Sequence, residues 1–186
     1  MSDLAHSIRS ALSSYESNWP SPAARWRTRG LGTGTGSNLS YRAGAGVLIS
    51  TTGAELSRPQ ASEIPLVELD DEVDGELEPI SEVNLHHGIY HRYRATAFVH
   101  TQAPIATTVA CVVDESPCVH CLMVDLGAAC RWRRIGRSAA RARRRGTRST
   151  AHSAALTANH DTLAHGDDPA TAATRTRLLE WVGTPY

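Results

Sequence analysis

The sequence predicts a single α/β domain, on three observations. Short apolar runs of strand length alternate along the chain with segments of helical periodicity. The 186 residues, 41% of them hydrophobic, suffice for one sizeable core and would be cramped as two. No internal repeat breaks the alternation, and no apolar run approaches the roughly 20 residues of a membrane span.

Taken in order, Leu4, Ile8, Leu12 and Tyr15 recur at helical spacing, predicting an amphipathic helix over residues 3–16. Glycines between Gly30 and Gly36 read as a loop. Asn38–Arg42 and Gly46–Ser50 read as two strands around an Ala-Gly turn, with a third strand at Ile64–Leu69 and an acidic hairpin near Asp71–Gly75. Ser81 can cap a helix from Glu82 to Tyr93 that carries Leu85, Ile89 and Tyr93 on one stripe. The strand 96–100 follows, then a helix from Pro104 to about Ala110. Apolar runs at 119–125 and 154–158 read as strands, and Pro169 fits the first position of a last helix bearing Leu178, Leu179, Trp181 and Val182.

Composition narrows the chemistry. All nineteen basic residues are arginine, so Schiff-base catalysis, covalently held pyridoxal phosphate and a Walker A loop are excluded for want of a lysine. Net charge is zero, which gives no global field toward nucleic acid or an anionic membrane. Four cysteines, Cys111, Cys118, Cys121 and Cys130, are too few and too clustered for a disulfide framework, and residues 1–20 lack a signal-peptide layout; cytoplasm is the expected location. Residues 131–148 hold nine arginines without apolar periodicity. This block reads as a segment out of frame in a GC-rich gene, with the frame restored near Ala154; the alternatives are a solvated basic helix and a patch for nucleic acid or an acidic partner. A compensating pair of indels in the coding DNA is the check.

The candidate site residues lie at strand ends and helix starts. His100 ends a strand, and alternation directs residue 102 to the same side, where His-x-His would make a metal claw; this chain carries Gln102. Glu82 opens a helix, where the macrodipole favours a carboxylate. That helix also carries His86, His87 and His91, expected on a solvated or partly buried face. His160 follows the second short run, and with His100 and an acid it fits a mononuclear metal site. The turns Gly32–Asn38 and Ser50–Gly53 offer amides and hydroxyls to an anion. The single Cys118-x-x-Cys121 lacks the second pair of a structural zinc site.

Read together, these motifs resemble the class II aldolase/adducin family, typified by L-fuculose-phosphate aldolase. The family's Gly-Thr-x-Gly-Asn-x-Ser stands here as Gly34-Thr-Gly-Ser-Asn-Leu-Ser40, and its Ser-Pro-Thr-Gly as Ser50-Thr-Thr-Gly53. Its Pro-Ser-Ser-Glu stands as Pro79-Ile-Ser-Glu82, its His-Thr-His as His100-Thr-Gln102, and its Ala-Asn-His-Gly as Ala158-Asn-His-Asp161. The resemblance implies a three-layer α/β/α domain with a central mixed or antiparallel sheet, assembled as a homotetramer with sites between subunits. It implies a zinc-dependent lyase that cleaves a phosphorylated ketose to dihydroxyacetone phosphate and an aldehyde. Glu82 would shuttle the proton, His100, His160 and Gln102 would meet the metal, and Ser37, Asn38, Thr52, Gly53 and Ser81 would hold the phosphate. The partner is then a small sugar phosphate, with no membrane and no nucleic acid. The departures are Gln102 for an imidazole, Ile80 for a serine, Asp161 for a glycine and Ser37 for a glycine. Alternative readings are a non-catalytic adducin-like interaction domain, and a ketose-phosphate dehydratase or decarboxylase on the same scaffold.

Overall fold

The computed structural model describes residues 31, 36–51, 53–54, 63–69, 73–74, 82–113, 115–116, 120–127, 132–133, 152–157 and 160–184. Thr52, Ser81, Cys118, the 3–16 helix and nearly all of the arginine block lie outside them. Among the described residues the strands are β1 (Asn38–Ala43), β2 (Gly46–Ile49), β3 (Leu66–Glu68), β4 (Val73–Asp74), β5 (Ala97–Thr101), β6 (Glu115–Ser116), β7 (Trp132–Arg133), β8 (Ala154–Leu156) and β9 (Thr162–Gly166). The helices are α1 (Val83–Arg92), α2 (Pro104–Val112) and α3 (Pro169–Val182). Seven strands form one sheet in the order β4-β3-β2-β1-β5-β9-β8, every pairing antiparallel, and β6 pairs with β7 separately.

Pleat alternation assigns the two faces of the sheet. Leu39, Leu48, Ala97 and Val99 pack with Ala172 and Ala173 of α3. The opposite face brings Val47, Phe98 and Leu163 against Tyr90 of α1, with Leu85 and Ile89 partly buried beside them. Both faces are therefore covered, and β2 and β5 are buried along their full length. A further layer joins α2, Met123, Leu126 and Leu156 to Leu179 and Val182 of α3. This is the α/β sheet flanked by helices that the sequence predicts, in its antiparallel form.

Local chemistry explains the ends of the elements. The two-residue turn from β1 to β2 needs positive φ, supplied by Gly44 at +62°. Asp168 caps α3, accepting from the Thr171 amide at 2.7 Å, with Pro169 at the first position as expected. The end of β9 passes close to that cap: a Cβ on Gly166 would lie 2.8 Å from the Ala172 nitrogen. Helix α2 has no side-chain cap of its own. Glu180 of α3 supplies one, accepting from the amides of Ile105 and Ala106 at 3.1 and 2.8 Å.

Three expectations are corrected. The run at 119–125 is not a strand: Cys121–Leu126 is a 3₁₀ helix, started by a hydrogen bond from the Leu122 amide to His120 Nδ1. Its buried residues, Met123 and Leu126, are three apart, the spacing of a helical turn rather than a pleat. By contrast, β4 falls within the acidic hairpin expected near Asp71–Gly75, pairing antiparallel with β3, Leu66 with Asp74 and Val67 with Val73. His86 and His87 are 0% and 1% exposed, fully buried rather than on a solvated or partly buried face, because α1 lies on the sheet. Finally, residues after His160 form β9, a strand absent from the sequence reading that lies between β5 and the edge strand β8.

Candidate active site and metal centre

The register of three strands and the first turn of one helix gather the site. β1 pairs Asn38 with His100, and β5 pairs His100 with Leu163. Asn38, Ser40, Phe98, His100 and Leu163 therefore share the sheet face covered by α1. Asp161 precedes β9 by one residue and, by alternation, joins Leu163 on that face. Glu82 stands at the start of α1, directly over the end of β5.

His100 is the centre of the cluster. Its Nδ1 lies 2.6 Å from Glu82 Oε2, and its Nε2 contacts the Asp161 carboxylate. That Nε2 is buried and has no regular hydrogen-bond partner among the described residues. His160 Nε2 lies 3.1 Å from Asp161 Oδ2 and 3.8 Å from Glu82 Oε1. Exposure divides the four residues. His100 and Asp161 side chains are 2% exposed and form the floor, while Glu82 at 25% and His160 at 49% form the mouth.

Electrostatics follow from this packing. Burial would raise the Glu82 carboxyl, but the hydrogen bond and charge of His100, with help from Asn38 and His160, outweigh it and hold the group at about 2. Burial would likewise lower His100, but hydrogen bonds and charge from Asp161 and Glu82 raise it to about 9. The protonated imidazole of His100 is thus favoured between two carboxylates.

Behind His100 runs a buried polar chain. Asn38 Nδ2 donates to Glu82 Oε2 at 2.9 Å, since a carboxylate can only accept. Asn38 Oδ1 is thereby turned toward His86 Nε2, 2.5 Å away, which must carry the proton. Burial, then the charge of His100, hold His86 well below its ordinary value, so it is neutral and its Nδ1 accepts from Ser40 Oγ at 2.6 Å. Tyr90, raised by burial, in turn donates its hydroxyl to Ser40 Oγ at 2.8 Å. The chain has one consistent direction, Tyr90 to Ser40 to His86 to Asn38 to Glu82, and it fixes which way the Asn38 amide faces.

A divalent cation fits the donor set. Two imidazoles and two carboxylates offer ligand atoms that all lie within 4.8 Å of one another. Bonds of about 2.0–2.2 Å separate opposite donors by up to about 4.4 Å, so small side-chain adjustments suffice. The buried Nε2 of His100 points into the same space.

The predicted residues fall as follows. Glu82, His100 and His160 come together, whereas Gln102 is exposed and its amide lies on Gly36, where a Cβ would be 2.6 Å from Gln102 Oε1. Asn38 is beside the cluster with its amide engaged by Glu82 and His86. Ser37 is buried, its Oγ without a hydrogen-bond partner among the described residues. Gly53 has φ +87° in a turn closed by the Ala54 amide on Thr51 O at 3.2 Å, a backbone conformation that favours glycine there. Asp161 and His86 are the residues whose roles sequence reasoning missed. Placing β9 from the alternation around Leu163 would have put Asp161 on the His100 face.

Comparison with known proteins places the fold and the family. The chain is 37% identical over 101 residues to a 5-methylthioribulose-1-phosphate/5-deoxyribulose-1-phosphate aldolase of Rhodospirillum rubrum, covering 54% of this chain and 46% of that one. It is 39% identical over 103 residues to a 5-deoxy-D-ribulose 1-phosphate aldolase of Bacillus thuringiensis, covering 53% and 48%. The matches thus span about half the length of these relatives. The crystal structure of L-fuculose-1-phosphate aldolase from Thermus thermophilus superposes with a TM-score of 0.79 at 19% identity, covering 93% of each chain, which speaks to the fold. The family model of the class II aldolase and adducin N-terminal domain matches residues 23–183. With that match over most of its length, the chain belongs to the class II aldolase and adducin family.

Proposed function

We propose that this chain is a metal-dependent aldolase that cleaves a phosphorylated ketose to dihydroxyacetone phosphate and an aldehyde. The observation that carries the reading is the His100 cluster, two imidazoles and two carboxylates converging at one half-open point. The curated relatives it matches are named as 5-deoxyribulose-1-phosphate aldolases, which makes a 5-deoxyketose 1-phosphate the first substrate to try.

Glu82, His100, His160 and Asp161 would hold the cation, which when bound supplies Lewis-acid polarisation of the substrate's carbonyl and hydroxyl oxygens. Glu82 is the proton carrier. It is a quarter exposed at the mouth, hydrogen-bonded by Asn38, and held low chiefly against its own burial by the His100 proton. The phosphate is assigned to Ser37, Asn38, Thr52, Gly53 and Ser81. The unpartnered Ser37 hydroxyl and the Gly53 turn support this assignment, with the Asn38 backbone rather than its committed side chain serving the anion. Assembly as a homotetramer is part of the same reading and is checked by light scattering.

The test is direct. Purified protein loaded with Zn²⁺, Mn²⁺ or Co²⁺ is given a panel of ketose 1-phosphates, and dihydroxyacetone phosphate is measured by a coupled reductase. Release that is abolished by chelation and by His100→Ala is expected. A metal-loaded, folded protein that releases none from any member of the panel would overturn the proposal.

A further inference from the structure

We infer that Asp161 replaces the imidazole that the strand end lacks, making this a site of two histidines and two carboxylates rather than three histidines. The inference rests on the metal-dependent reading above and names a ligand within it. Its first support is the register. β5 and β9 pair Thr101 with Thr162 and His100 with Leu163. Continued by one residue, the same ladder sets Gln102 opposite Asp161, on the face of the sheet that His100 occupies. A side chain at 161 can therefore reach the point that residue 102 leaves unserved, by crossing one strand spacing.

Its second support is burial and aim. Asp161 is 1% exposed, an unusual place for a carboxylate unless it is paired or holds a cation. It contacts His100 Nε2, the buried nitrogen without a regular hydrogen bond, and lies 3.1 Å from His160 Nε2. Its other oxygen is anchored by the Thr157 hydroxyl, while the Thr157 Oγ1 also accepts from the Asp161 amide at 2.9 Å. One carboxylate oxygen is thus oriented by the turn, and the other faces both imidazoles. Gln102, by contrast, is exposed and lies on Gly36.

Exchanging an imidazole for a carboxylate hardens the donor set. Carboxylate oxygens suit manganese, and a set of two histidines with carboxylate suits iron(II), whereas added imidazole favours zinc. The protein should accordingly bind Mn²⁺ or Co²⁺ with one site per chain, and Gln102→His combined with Asp161→Asn should shift preference toward Zn²⁺.

The experiment measures metal binding without substrate. Mn²⁺ affinity is read by electron paramagnetic resonance for wild type, Asp161→Asn and Gln102→Ala. Asp161→Asn is expected to weaken binding by at least about 100-fold, the upper end of what loss of a ligand's supporting partner costs. Gln102→Ala should leave affinity within about threefold. Because Asp161→Asn also disturbs the Thr157 anchor, a second measurement uses unmodified sequence: with ¹³C-carboxylate aspartate, pulsed electron–nuclear double resonance on bound Mn²⁺ should show a strongly coupled carbon. Bound metal without that coupling, or metal lost in Gln102→Ala and kept in Asp161→Asn, overturns the assignment of Asp161 and leaves the aldolase reading standing. A wild type that binds no Mn²⁺, Co²⁺ or Zn²⁺ overturns both.

Discussion

Replacing His86 by leucine tests the buried polar chain that aims the site. The substitution keeps apolar volume but removes both ring nitrogens, so Asn38 Oδ1 loses a partner at 2.5 Å and Ser40 Oγ loses one at 2.6 Å. Each buried group left unsatisfied costs about 1–3 kcal/mol. The T-shaped contact of the imidazole on Phe98, with centroids 4.6 Å apart and planes at 85°, adds about 0.5–1.5 kcal/mol, the range of an aromatic pair. The expected loss is about 4 kcal/mol, a large share of the roughly 5–15 kcal/mol that holds a domain together. Urea unfolding reads it: with a slope of about 2 kcal/mol/M, the midpoint should fall by about 2 M. His91→Leu, an exposed change on the same helix, is the control and should stay within about 0.5 kcal/mol. The pH dependence gives a second readout. Because the folded state holds His86 below 6.5, the unfolded chain binds a proton that the folded one refuses, and stability falls as pH drops through 6.5. His86→Leu should flatten that acid slope. A loss under about 1 kcal/mol, or an unchanged slope, would refute the directed chain.

Two further outcomes follow from the geometry. In the metal-free protein, His100 is raised to about 9 by Asp161 and Glu82, so its contribution is fully present below the unfolded value of 6.5. That contribution, on the order of 3 kcal/mol, is lost as pH rises through about 9. Thermal melts in chelator should show this fall, and His100→Gln should remove it. At the other end of the molecule, Glu180→Ala deprives the amides of Ile105 and Ala106 of their acceptor. It should cost about 1 kcal/mol, as other cap deletions do, with metal affinity unchanged; a neutral effect in denaturant titration would mean that water replaces the cap.

Much of the domain was determined by the sequence itself. Helix α1, strand β5 and helices α2 and α3 lie within two residues of where periodicity, Pro104 and Pro169 put them. Those signals are local: a stripe repeats within one element, and a proline acts on its own φ and amide. Glu82, His100 and His160 were likewise legible as ends of elements, and their motifs named the family. The 3₁₀ helix at Cys121–Leu126 escaped, since six apolar-rich residues satisfy either period until one knows which of them are buried. Strand β9 escaped too, because Thr162–Gly166 is short and carries a histidine and a glycine that dilute the strand signal.

Only the tertiary structure decided where the side chains of Asp161 and His86 lie. Asp161 reads in sequence as a departure beside a histidine; the β5–β9 register turns it onto the His100 face and buries it there. His86 reads as one polar residue of three on a helix; the seating of α1 on the sheet drives it between Ser40 and Asn38. Both outcomes depend on pairing between segments some sixty or forty-odd positions apart in the chain, 61 for Thr101 with Thr162 and 48 for His86 with Asn38. A linear pattern carries the type and order of elements, but the side of a sheet on which two distant residues meet is set by register and docking.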